Sequence, residues 1–349
     1  ADGGAFYRSK KTGESHAGWY VLIGICAAVP CLMVLVLLLM SADMVFADLL
    51  VRFAGVFRFP VKLLRILLML VFGFLSSYCG VRYVQKHAAD IKPSAGKTAE
   101  PLIAIAFTAP IAVLYLLFSA IQIVYLFIGN MQLPAGVTYA EYARRGFFQL
   151  LFVCVLNLAA VLFIQSYFKE NRVLKALLLA ISGCTLIMTA SSACRMLLYI
   201  RAYQLTFLRV SVLVALAVIA LLMAGVIAKI VKPQFPLFRY GFVLVGAVYL
   251  VFSFSHVDYF IAAYNLTHTS WEASGEETVD YSYLYTLSTD AAPAIEKYAG
   301  KSGAADYRKQ GWYQLYCEAN EEALNETGLR TYNVSHAVAK QLLMEDNRE

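Results

Sequence analysis

The residues best placed for chemistry in this sequence stand close together in Thr138-Tyr-Ala-Glu-Tyr-Ala-Arg-Arg-Gly-Phe-Phe-Gln149. Glu141, Arg144 and Arg145 lie there between two uncharged runs, Pro101 to Ala140 and Gly146 to Phe168. On a helix, residues three and four apart share a face, so Glu141 can meet both guanidiniums. Such a cluster can hold an anion or an internal ion pair. The plainer alternative is a membrane-edge anchor for the following apolar run. Arg195 is the second candidate, because it sits inside an apolar run, and an intramembrane charge marks a functional site by default. Glu141 and Asp258 are its candidate counter-charges, and Glu141 is the expected partner. Tyr199, Arg209, His256 and Asp258 complete the candidate ligand or ion-pair cluster. A buried pair of this kind can also serve only to fix helix register.

A second set of polar residues is uncharged. Tyr115, Ser119 and Gln122 repeat at helical spacing, as do Ser182, Thr185, Thr189, Ser192 and Arg195, and Asn157 stands alone in a third apolar run. Small polar residues on one face usually hold helices together in a membrane bundle. The alternative is that the three helices line a wet cavity ending at Arg195.

Other chemistry lacks its motifs. The five histidines (His16, His87, His256, His268 and His336) form no helical pair inside an apolar run, which argues against haem or intramembrane zinc. No phosphate-binding glycine loop and no nucleophile elbow occurs. His256 with Asp258 is a weak His–acid pair. The sequence therefore assigns no catalytic residue, no metal and no cofactor. Of seven cysteines only Cys317 lies in the C-terminal tail, so that segment has no internal disulfide framework.

Composition says where these residues sit. The chain has 349 residues, 60% hydrophobic and 15% charged, against roughly 45–50% and about 25% in soluble domains. The excess falls in runs that exceed the about 20 residues needed to cross a bilayer. Spans are expected at about 19–41, 62–84, 101–129, 146–168, 174–200, 210–231 and 238–257. Residues 1–18 form a basic flank, and 42–61 an interfacial amphipathic segment. The fold class is thus all-α: a polytopic bundle of about seven spans over 19–267, with a helical domain at 268–349.

The net charge of +6 conceals two halves: residues 1–267 hold 22 Lys+Arg against 9 Asp+Glu, and residues 268–349 hold 7 against 14. The basic half is the membrane half, so the charge does not point to nucleic acid. With the N-terminus in the cytoplasm, thirteen basic residues fall on that side and eight on the other. That bias places the acidic tail outside. The charged cluster then gathers at the outer mouth beneath the tail, whose acidic face suits docking over the arginines. In the tail, Ser288-Thr-Asp290 before Pro293 and Asn333-Val-Ser335 read as helix starts. Tyr307, Trp312, Tyr313, Leu315 and Tyr316 read as an aromatic core, and Val338, Leu342 and Leu343 as the apolar side of the last helix. Asn265-Leu-Thr fits a glycosylation pattern.

Several longer stretches carry a family likeness. Ser41-Ala-Asp43-Met-Val-Phe46, Tyr139 to Leu150, Arg195-Met-Leu-Leu-Tyr199 and Tyr203 to Arg209 belong to it. So do Asp258-Tyr-Phe-Ile-Ala-Ala-Tyr-Asn265 and, in the tail, Leu287-Ser-Thr-Asp-Ala-Ala-Pro293. With them the chain resembles a family of bacterial multi-pass membrane proteins, the domains of unknown function numbered forty-one seventy-three and forty-one fifty-three. The resemblance covers the chain from about Trp19 onward. It implies a bacterial inner (plasma) membrane, no glycosylation and no established activity. It also implies further spans ahead of Ala1. The family's Pro before the Asp of the Asp258 motif is replaced here, where His256-Val257 precedes it.

The leading functional reading is a non-enzymatic sensor or accessory (scaffold) subunit of the cell envelope. Its partners would be membrane lipids and a protein met at the tail. A transporter or channel for a small or lipidic anion is the alternative. The absence of a repeat or of paired broken helices counts against it. A lipid-acting enzyme with His256 or Glu141 as base comes third.

Overall fold

The structure is a computed structural model that describes the backbone of residues 3–54, 99–124, 147–268, 270–271, 277–278, 281–299, 307–325 and 333–344. Among the described residues the protein is all-α apart from one two-residue ladder and an isolated bridge between Ala99 and Phe168. Its helices are α1 (Gly3–Ala42), α2 (Met44–Ala54), α3 (Pro101–Gln122), α4 (Phe147–Tyr167), α5 (Arg172–Tyr203), α6 (Phe207–Val231), α7 (Leu237–Ser253) and α8 (Val257–Thr267). The tail adds β1 (Ser270–Trp271) paired antiparallel with β2 (Glu277–Thr278), then α9 (Tyr281–Leu284), a 3-10 turn at Thr289–Ala291, α10 (Ala292–Tyr298), α11 (Gly311–Asn325) and α12 (Val334–Met344).

Five of the described helices are long and apolar enough to cross a membrane: Ala17–Ala42 of α1, then α3, α4, α5 and α6. The pair α7 and α8, bent by 59°, makes a sixth if it is one span. The five match five of the seven expected spans, the bent pair falls on the one expected at 238–257, and the one expected at 62–84 lies outside the described residues. The bundle is a multi-pass membrane protein built as lipid demands, with backbone bonds kept inside helices.

The chain divides into two compact units. The first comprises the described residues of Ala1–Gly136, Arg145–Ser192 and Ile219–Leu237. Its core is formed by Leu39, Phe46, Phe118, Leu150, Met188 and Met223 with their neighbours. Large apolar residues such as Leu116, Phe152 and Phe163 point outward, as lipid-facing positions should. α1 packs most extensively against α3. Gly24 makes that approach close: a Cβ there would stand 2.6 Å from the Ala106 Cβ and from the Ile103 carbonyl oxygen. With buried Ala28 one turn on, it forms a small-residue seam.

The second unit comprises the described residues of Ala193–Val218 and Phe238–Glu349. α7 buries none of its residues, and Phe238, Phe242 and Val251 stand exposed along it. α8 behaves oppositely. Ile261, Ala262 and Leu266 enter one core with Leu284, Leu287, Ile295, Trp312, Tyr313, Tyr316 and Leu343 of the tail. The turn between α7 and α8 needs no proline, because His256 takes the left-handed conformation there (φ 47°).

Two details of the tail differ from the sequence reading. Leu315 and Val338 are exposed, while Ala339 takes the buried position of α12 beside Leu343. Small side chains allow the short tail helices to approach closely, and Ala291, Ala292 and Ala294 are buried for the same reason.

Candidate functional site

The neutral polar residues of the spans meet in two networks inside the first unit. In one, Tyr115 of α3 donates its hydroxyl to Asn157 Oδ1 of α4 at 2.6 Å. Asn157 Nδ2 donates to Thr185 Oγ1 of α5 at 3.0 Å, and that hydroxyl donates to the Ile181 carbonyl at 2.8 Å. One turn on, Thr189 lies 2.8 Å from the Thr185 carbonyl and 3.4 Å from the Cys154 sulfur. Tyr115, Asn157, Thr185 and Thr189 are all buried. Three helices are thus tied by side chains whose sequence positions predicted a shared face.

The second network centres on Asp43, where the chain passes from α1 to α2. Its Oδ1 accepts from the Phe46 amide at 2.8 Å, capping α2. Its Oδ2 accepts from Gln122 Nε2 at 2.8 Å, and Gln122 Oε1 accepts from Ser191 at 2.6 Å. Asp43 is only 2% exposed. Asp43, at the start of the segment expected to be interfacial, is thus packed inside the first unit, while α2 carries an exposed Arg52–Asp48 pair at 2.9 Å. Sequence reasoning overlooked Ser191 and the role of Asp43. The available signal was an Asp three residues before a buried Phe at a helix start. Ser119 and Ser182 are also buried in this unit, and Ser192 donates to the Phe147 carbonyl at 3.3 Å.

Of the charged candidates, Arg195, Arg209, His256 and Asp258 belong to the second unit. Glu141, Arg144 and Arg145 lie outside the described residues, so the expected Glu141–Arg195 pair does too. Arg195 is wholly buried. Arg209 turns back on the end of α5. It donates to the carbonyls of Tyr203 and Gln204 and lies 4.4 Å from the Tyr199 ring centre, with Tyr199 and Tyr203 in contact at 4.9 Å. That is a cationic cap on a helix C-terminus, where the dipole favours positive charge.

His256 and Asp258 do not pair with one another here. His256 Nδ1 lies 3.3 Å from Asp290 Oδ2. Asp258 Oδ2 accepts from the Ser288 amide at 3.1 Å and its hydroxyl at 2.5 Å. Both contacts link the start of α8 to the turn before α10. Tyr316 donates to the Ser288 carbonyl at 2.9 Å, and burial pushes its phenol above the usual range.

Asn265 stands outside the candidate cluster expected from the sequence. Fully buried, it accepts from the Leu205 amide at 2.8 Å and donates to the Leu205 carbonyl at 2.9 Å. Gln204, at φ 63°, donates to the His268 carbonyl at 2.9 Å. The turn between α5 and α6 is thereby pinned to α8. The glycosylation pattern at Asn265 is thus part of a buried clamp, which excludes a sugar from the folded chain. The tail also attaches through apolar side chains of α8, and a further ion pair, Arg308–Glu296 at 2.6 Å, lies within the tail. Among the described residues no group of His, Cys, Asp and Glu could hold a metal ion.

A family model described as a domain of unknown function, DUF4153, matches residues 3–298. No curated protein and no solved structure matches the chain.

Proposed function

The chain belongs to the DUF4153 family, and on that premise we propose that it is a non-enzymatic scaffold or sensor subunit of the bacterial inner membrane. One observation carries the reading. Tyr115 of α3, Asn157 of α4 and Thr185 of α5 hydrogen-bond one another in series. Such pairs fix helix positions. They leave the tail as the working surface, held on α8 by the shared core and by Asp258. The lysine and arginine bias supports placing this tail outside the cytoplasm.

The test uses a Cys317→Ser background and a single Val334→Cys substitution, because Val334 is exposed at the start of α12. Intact cells are treated with a membrane-impermeant bifunctional thiol reagent. The expected result is labelling without lysis and one discrete adduct with another protein. Labelling only after lysis would overturn the orientation. Labelling with no adduct at Val334 or at a second exposed site, Leu315, would overturn the scaffold reading.

A further inference from the structure

A cavity of about 390 Å³ opens in the first unit where the ends of α4 and α6 meet the start of α5. Its rim carries Lys169, Lys175 and Lys229 against one carboxylate, Glu170. Its inner wall is apolar, with Leu162, Leu174, Leu178 and Ile230. The volume falls within the about 300–1,000 Å³ range of small-molecule sites. The cavity lies at one edge of the membrane because three span ends converge there. The local backbone is fixed on both sides: Ala99 pairs with Phe168 beside it, and Asn171 Oδ1 caps α5 by accepting from the Val173 amide at 2.8 Å.

We propose that this cavity binds the phosphate headgroup of an anionic phospholipid, with the first part of an acyl chain against Leu174, Leu178 and Ile230. Charge and shape argue together for that occupant. Lysines at a membrane edge attract anionic headgroups, and basic pockets between spans select them. The start of α5 adds the positive end of a 32-residue helix. The apolar wall suits a chain that continues into lipid, which a free inorganic anion lacks. Lys229 is half-buried, and its ammonium donates to the Pro233 carbonyl, which aims it along the rim. Lys169 and Lys175 hold Glu100 at 2.8 Å and Glu170 at 3.0 Å. These carboxylates compete with a phosphate for the same lysines, so the site is tuned to exchange lipid rather than to trap it.

The experiment follows thermal unfolding of the full chain in phosphatidylcholine nanodiscs as phosphatidylglycerol is added at constant salt. Phosphatidylglycerol should raise the midpoint saturably. Lys229→Gln should weaken the apparent lipid affinity about fivefold, the weight of one lysine near an anionic surface. Glu170→Gln should tighten it, an opposite sign that a general folding defect cannot imitate. Three results would overturn the proposal. One is an equal midpoint with and without phosphatidylglycerol. Another is the same stabilisation by inorganic phosphate in pure phosphatidylcholine. The third is a Glu170→Gln response no tighter than the parent's.

Discussion

Asn157 accepts from one helix and donates to another, and each bond replaces an amide contact that lipid cannot offer. A double-mutant cycle on Tyr115→Phe and Asn157→Leu, read as unfolding free energy in detergent, should give a coupling of about 0.6–1.7 kcal/mol. Coupling indistinguishable from zero would remove the network as a source of stability. At this scale the sequence was partly legible. Helical spacing placed Tyr115, Ser119 and Gln122 on one face, and Thr185 and Thr189 on another, and burial agrees. It could not say that Gln122 would leave its neighbours for Asp43, because that choice depends on which helix ends meet. Nor could it foresee that Arg209 of α6 would turn back to cap the C-terminus of α5.

Helices and their breaks were more legible than contacts, since a long apolar run admits few structures in a bilayer. The bent pair α7 and α8 shows the limit of that reading. Hydropathy ended the last span near Val257, but α8 continues to Thr267 and gives its buried side to the tail core. What sets the break is His256 in the left-handed region, which costs a non-glycine residue roughly 1–2 kcal/mol. A β-branched residue suits that conformation worse still. His256→Val should therefore lower stability by about 1–2 kcal/mol, whereas His256→Gly should keep the fold at near-parental stability. Paired melting curves decide this. Equal losses for both would shift the weight from the backbone to the His256–Asp290 contact at 3.3 Å. Gly24 is a second element-scale feature that periodicity hid, because its importance lies in the approach of α3 to 2.6 Å of an added Cβ.

Across the whole molecule, charge separates a basic membrane part from an acidic tail. The docking expected over Arg144 and Arg145 falls on residues outside those described. The described attachment combines apolar burial of Ile261, Ala262 and Leu266 of α8 with the contacts of Asp258 to Ser288 and His256 to Asp290. Burial of alkyl surface is not weakened by salt as surface ion pairs are, and it gives the tail a fixed seat.

The central claim is that the intramembrane polar residues hold the bundle together rather than carry solute. Anion flux in liposomes containing the full chain tests it most directly, with chloride and phosphate as the probes and protein-free liposomes as the reference. The account predicts leak rates equal to the reference for both anions, with Asn157→Leu lowering stability and leaving the leak unchanged. Saturable, protein-dependent flux that Asn157→Leu abolishes would contradict it.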